Sequence, residues 1–147
     1  MGRLLLAIFA DGLVREAVPG GGTRLVFRVA EDLAPTKLAV LPLLKRSDMG
    51  AAASALYEGL MPHLRCELDA TGSIGKRYRR ADEVGTPLCA TIDEGTLSSD
   101  TVTLRDRDSM RQLRMSVAEV VARAQRGTLK PSALPFAAAG AAVEVQS

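Results

Sequence analysis

The chain contains no tryptophan, and aromatic residues make up only 3% of it. Any core it forms must therefore be closed by Leu, Val, Ile and Ala rather than by large rings. It has one histidine, His63, and two cysteines, Cys66 and Cys89. That makes three scattered Cys/His groups where a structural zinc site takes four. The two thiols either pair or stay free, and in a reducing compartment free thiols are the commoner state. No run approaches the 18 apolar residues of a membrane-spanning helix, so no membrane partner is expected. The apolar start at 4–10 is followed at once by Asp11, Arg15 and Glu16, without a cleavage pattern. The expected setting is a cytoplasm or an organelle matrix such as the mitochondrion, and not secretion. Charge of one sign is also missing. Lys and Arg number 19 against 17 Asp and Glu, a net charge of +2. Such a balance does not itself point to nucleic acid; only clustering of the basic groups could.

The 147 residues are 47% hydrophobic and 24% charged, the balance of one globular domain. Apolar residues Leu4, Leu5, Ile8, Phe9 and Leu13 recur at helical spacing and predict a first helix over 4–14. Pro19 to Gly22 ends it in a loop. Arg24 to Val29 alternates and reads as a strand. Lys37 to Leu44 is nearly all apolar, as in a strand buried on both faces of a parallel sheet. Ser47 or Asp48 is placed to cap a helix whose apolar stripe runs through Met49, Ala52, Ala53, Leu56, Leu60 and Leu64. A short strand follows at 66–69, then a helix over the basic stretch ending at Gly85. Further strands are predicted at 87–92, 101–104 and 111–115, with a turn at 93–99. An amphipathic helix over 117–124 closes the pattern. The whole reads as α/β with a mixed sheet. The segment 127–147 is rich in Ala, Gly and Pro and reads as a flexible tail.

Two clusters carry candidate chemistry. In GKRYRRADEVGTP, residues 75–87, four basic groups surround Tyr78. On a helix, Lys76 and Arg80 share a face. Such a stretch is either a solvated helix face with Asp82 and Glu83 as counter-ions, or a surface that neutralises phosphates and stacks a base. The second cluster is LRDRDS, residues 104–109. Its alternating charges either pair across a turn or aim an Arg fork at a phosphate or base edge. Gly20 to Gly22 lacks the spacing of a phosphate loop. His63 reads as a surface residue and Cys89 as a small buried hydrophobe.

Several spaced motifs resemble one family. They are GSIGKRYRR at 72–80, DEVGTP at 82–87, TID at 91–93 and DTVTLRDRDSM at 100–110. With LAPTKLAVLPL at 33–43 they resemble the C-terminal anticodon-binding domain of the homodimeric class II glycyl-tRNA synthetases. Arg3 and the apolar helix after it resemble that family's motif 3, whose arginine contacts ATP. The resemblance spans about residues 3–121. It implies a five-stranded mixed sheet flanked by helices, preceded by a helix and strand from a catalytic-domain remnant. The implied division is 1–32 for the remnant, 33–126 for the anticodon-binding domain and 127–147 for the tail.

The resemblance also implies a function, namely recognition of the glycine tRNA anticodon, or of other RNA. The candidate RNA contacts are Lys76, Arg77, Arg79 and Arg80 for phosphate and Tyr78 for stacking. Asp82, Glu83, Arg105 and Arg107 are candidates for base or backbone contacts. ATP and magnesium serve the full-length family. Motifs 1 and 2 have no counterpart in these residues, so this chain alone is expected to bind neither, to have no catalytic residue, and to be inactive as a ligase. A protein partner is expected on the first helix, either a catalytic-core chain or a larger assembly. The alternative is an accessory or scaffold subunit of an organellar complex, such as a mitochondrial ribosome or a polymerase.

Overall fold

The computed structural model describes residues 13–17, 22–136 and 143–145. The predicted first helix over 4–14 and Arg3 lie almost wholly outside these residues. At its described end, Leu13–Ala17 is not helical. It forms strand β1, which pairs antiparallel with β2, Thr23–Phe27, with Leu13 opposite Phe27.

The main sheet is built from β3 (Leu38–Pro42), β4 (Cys66–Leu68), β5 (Leu88–Ile92), β6 (Thr101–Asp106) and β7 (Gln112–Ser116). These are the five strands expected, in a mixed sheet of order β4-β3-β5-β6-β7. A sixth, β8 (Val143–Val145), pairs parallel with β7 at the far edge. The helices are α1 (Ser47–Leu60), α2 (Ile74–Val84), α3 (Glu94–Ser99) and α4 (Val117–Arg126).

Connection handedness decides which face each helix covers. From β3 the chain crosses through α1 to β4 on one side, then returns through α2 to β5 on β3's other side. Both crossovers join parallel strands, and such crossovers are right-handed. Reversing the direction of travel therefore puts α1 and α2 on opposite faces. The remaining strands, β5 to β7, form an antiparallel meander, which needs no helix between faces. The result is asymmetric. One face carries α1 and α4 over the main core, including Val40, Met49, Leu60, Leu104, Leu113 and Val120. Among the described residues the other carries α2, packed through Ile74, Tyr78 and Ala81 on Ala39, Leu41 and Cys89.

Three local expectations need correction. Neither Ser47 nor Asp48 caps α1: the N-cap is Arg46, without a side-chain bond, and Asp48 lies in the first turn. Residues 93–99 are not a plain turn. Asp93 accepts from the Thr96 amide while the Thr96 hydroxyl accepts from the Asp93 amide, a reciprocal cap that starts the short helix α3. The Ala/Gly/Pro segment after residue 126 is docked over its described part. Leu129 and Leu134 are buried in the main core, because two apolar side chains there gain more from the sheet than from solvent.

The β1–β2 hairpin lands on the C-terminal end of α2. Gly85 ends that helix at φ 82°, a conformation open to glycine at little cost. A Cβ at this position would lie 2.9 Å from Phe27 Cδ2 and from Val29 Cγ1, so the hairpin and helix end approach as closely as a glycine permits. No helix of the described residues is long and apolar enough to cross a membrane.

Candidate nucleic-acid interface

Strand alternation sorts the residues of β5, β6 and β7 into two sets. Ala90, Leu104 and Leu113 stand in register and enter the core. On the α2 side, Thr91, Thr103 and Arg114 form one cross-strand row, and Cys89, Arg105 and Gln112 the next. Thr101 and Ser116 make a third. Among the described residues only the short helix α3 meets the β6–β7 part of this face, at its Thr101–Arg114 end, where Gly95 lies against the Arg114 guanidinium; the rest carries no helix. It is a shallow polar surface of hydroxyls and guanidinium groups, bordered by α2.

Asp93 organises its far end. Arg114 Nη2 donates to Asp93 Oδ2 at 2.8 Å, and Arg114 Nη1 donates to the Thr101 hydroxyl at 2.9 Å. The Thr103 hydroxyl donates to Asp93 Oδ2 at 3.3 Å. One carboxylate thus caps α3 and holds the Arg114 guanidinium beside it. The Arg114 side chain keeps 31% of its surface exposed, enough for its outer edge to meet a ligand. Near α2, the Tyr78 hydroxyl is hydrogen-bonded to the Thr91 hydroxyl. Burial raises the Tyr78 pKa, so that hydroxyl is protonated at neutral pH.

Helical periodicity divides the basic stretch. Lys76, Arg79 and Arg80 are exposed. Lys76 and Arg79 have no side-chain partner among the described residues. Arg79 lies on the same flank of α2 as Gly75 and Asp82, the flank beside the open sheet. Arg80 turns the other way, to Asp69 near β4, at 2.8 and 3.0 Å. Arg80 holds the Asp69 carboxyl below the usual carboxylate range. Glu83 is exposed on the outer side.

Four expected contact residues sit inside the chain instead. Arg77 is 2% exposed, Asp82 2%, Arg107 5% and Arg105 7%. A charge this deep must be matched by partners, and each is. Arg77 donates to the carbonyls of Thr71 at 3.3 Å, Ala70 at 3.1 Å, Gly72 at 2.8 Å, and Pro42. It ties the loop before α2 to the end of β3. Arg107 donates to the Phe27 and Gly85 carbonyls at 3.1 and 3.0 Å and forks onto Asp108. Arg105 donates from both terminal nitrogens to Asp82, at 3.1 and 3.3 Å. Its Cζ lies 4.7 Å from the centroid of the Tyr78 ring. Burial works against the Arg105 charge, and the Asp82 carboxylate more than restores it. One face of Tyr78 is therefore occupied by Arg105, so its ring is half-buried rather than free for a base on both sides.

Sequence reasoning misses Arg24, Asp93 and Arg114 as functional or supporting groups, and Thr103 with them. Alternation could have found Thr103 and Arg114, since TVTLR and QLRM place them on the Arg105 face. It could not have found Arg24, because its partner Asp82 lies 58 residues away. Among the described residues, no group of three or more His, Cys, Asp or Glu is placed to hold a metal ion. A cavity of about 150 Å³ near Lys37, His63 and Lys130 lies at the opening ends of β3 and β5, away from this face. Lys37 Nζ there already donates to the Glu31 and Asp32 carbonyls at 2.8 Å.

The architecture is that of an α/β domain with a mixed sheet, one face of which is only partly covered and is bordered by the exposed Lys76 and Arg79 of α2. The chain belongs to the anticodon binding domain family, whose model matches residues 37–126. It is 47% identical over 119 residues to the glycine–tRNA ligase of Acetivibrio thermocellus, covering 81% of this chain and 25% of that protein. It is 46% identical over 120 residues to the glycine–tRNA ligase of Geobacillus thermodenitrificans, covering 82% of this chain and 25% of that protein. The chain thus spans about a quarter of the length of these relatives. Its fold is similar to that of prolyl-tRNA synthetase from Cryptosporidium parvum, solved with L-proline and AMP. That match has a TM-score of 0.60 and 16% identity, covering 69% of this chain and 22% of the other. The similarity to the glycine–tRNA ligases supports the synthetase reading and lends nothing to the accessory-subunit alternative.

Proposed function

We propose that the open face of β5–β7, with the adjoining flank of α2, binds the anticodon loop of glycine tRNA. The observation that carries the reading is the pair Thr103 and Arg114, part-exposed on the open sheet beside the unpaired Arg79, with Thr91 buried at the inner end of their row. Single-stranded loops offer splayed bases whose edges a hydroxyl and guanidinium surface can read. Arg114, fixed by Asp93, suits a base edge, while Arg79 and Lys76, free on the helix, suit phosphates. The similarity to glycine–tRNA ligases supports glycine tRNA as the substrate.

In this reading the chain binds neither ATP nor magnesium on its own. Glycylation falls to the remaining three quarters of such a protein, in the same or a separate polypeptide, and that catalytic core is the partner. A cytoplasm or an organelle matrix is the setting, in keeping with the two free, buried cysteines.

The test is binding of a glycine-tRNA anticodon stem-loop and an anticodon-swapped copy across a salt series. Arg79→Ala should weaken both RNAs alike and flatten the log–log salt slope by about 0.7, one phosphate contact on a single strand. Arg114→Ala should cost about 1–3 kcal/mol on the cognate loop and relax the choice between loops, at an unchanged slope. Equal weak binding of both loops, indifferent to either change, would remove the reading.

A further inference from the structure

The groups buried beneath this face form a continuous chain. Glu16 on β1 accepts from Arg24 Nε on β2 at 2.6 Å. Arg24 Nη1 donates to Asp82 Oδ2 at 3.1 Å. Asp82 accepts both terminal nitrogens of Arg105. Arg105 lies against the Tyr78 ring, and Tyr78 is hydrogen-bonded to Thr91 at the inner end of the Thr103–Arg114 row. The side chains of Arg24 and Asp82 are 4% and 3% exposed. Two arginines therefore share one carboxylate, and Glu16 supplies the second negative charge.

We propose that Asp82 is a positioning residue for recognition. It sets Arg105 and, through it, the Tyr78–Thr91 edge of the RNA face, and it makes that geometry depend on the docked β1–β2 hairpin. The inference rests on the anticodon-loop reading above. Asp82 itself touches no RNA. Both of its oxygens face the Arg105 fork, and one of them also faces the hairpin. Oδ1 receives only Arg105, while Oδ2 receives both Arg105 and the hairpin's Arg24. The fork geometry of guanidinium on carboxylate fixes orientation as well as charge. Without it, Arg105 has the freedom to leave the Tyr78 ring, and the ring and its hydroxyl lose their backing. The hairpin lies outside the family-matched residues 37–126. The Arg24–Asp82 bond is thus a direct link from a segment outside that domain to its reading surface.

The experiment uses the whole chain, with the same two stem-loops. Asp82→Asn keeps the shape and one acceptor but removes the charge that two arginines share. Arg105→Lys keeps the charge opposite Asp82 but loses the fork and the flat stack on Tyr78. Both variants should lower the ratio of cognate to swapped affinity about tenfold, the scale of one lost charge-assisted hydrogen bond. Both should leave the salt slope unchanged, because no phosphate contact is removed. A merely structural role would weaken both loops alike and leave the ratio intact. If Asp82→Asn does not fold, Arg105→Lys alone decides. A wild-type ratio retained by either folded variant overturns the proposal and leaves the anticodon reading standing. A wild-type chain that does not discriminate between the loops overturns both.

Discussion

A single methyl group at Gly85 tests how closely the hairpin is seated on the domain. Gly85 and Gly127 end α2 and α4 in the same left-handed conformation, at φ 82° and 73°. Alanine in that region costs about 1–2 kcal/mol through its backbone alone. At Gly127 nothing lies within 4 Å of the added Cβ, so that backbone cost is the whole effect. At Gly85 the methyl meets Phe27 Cδ2 and Val29 Cγ1 at 2.9 Å, and the Phe27 carbonyl at 3.0 Å. Relieving such contacts requires the hairpin to shift, an overpacking cost of about 1–3 kcal/mol. Gly85→Ala should therefore lose about 2–5 kcal/mol in all, a large share of the roughly 5–15 kcal/mol of a typical domain. Thermal unfolding at one scan rate reads the pair directly. For a chain of this size each kcal/mol moves Tm by about 2–4 °C, so Gly85→Ala should melt at least about 2 °C below Gly127→Ala. Amide exchange supplies the location: the β1–β2 amides should exchange faster in Gly85→Ala and unchanged in Gly127→Ala. Equal melting losses with equal hairpin protection would refute the packing argument. They would also undercut the route from the hairpin to Asp82.

Arg77→Met should destabilise the chain by about 2–4 kcal/mol in urea unfolding. The change strips charge-assisted bonds from a set of carbonyls, at about 1.5–3 kcal/mol for such a bond. A loss within about 0.5 kcal/mol would instead mark Arg77 as an ordinary surface residue. Stability should be flat from about pH 5 to 8 and fall below about pH 4, where carboxylates protonate. Among the described residues four native carboxylates, Glu16, Asp48, Asp69 and Asp108, lie below their usual values, the exposed Asp48 through its hydrogen bond from Arg46. Arg80 lowers Asp69, while at Glu16 and Asp108 burial acts upward and their arginine partners outweigh it. A depressed carboxylate stabilises the fold above its unfolded pKa, and that share is lost as pH falls through the folded value. A Tm unchanged between pH 6 and pH 3 would contradict these pairings.

Much of the architecture is written locally. The all-apolar run at 38–42 reads as a central strand because a strand covered on both faces has no polar side. Ile74, Tyr78 and Ala81 set the inward face of α2, and Gly85 its end. Alternation in TVTLR and QLRM separates the core side of each strand from its open side. These signals are short-range, and a strand or helix period carries them. The spaced motifs around residues 72–110 likewise carry the family resemblance.

What the sequence cannot decide is which charges stay outside. Lys76, Arg77, Arg79 and Arg80 are nearly identical in chemistry and adjacent in the chain. Only the seating of α2 on β3 separates Arg77, matched to four carbonyls, from Arg79, left free. Asp82 reads as a counter-ion for its neighbours, yet its partners are Arg24 and Arg105, 58 and 23 residues distant. The Asp93–Thr96 cap is local, but residues 93–99 read as a turn because a six-residue helix shows too little periodicity. The sequence by itself determined the main strands and longer helices of the domain, the two faces of each strand and the family. The tertiary structure alone decided which arginines are struts and which are contacts, because a guanidinium is buried only where the fold brings it a full set of oxygen partners.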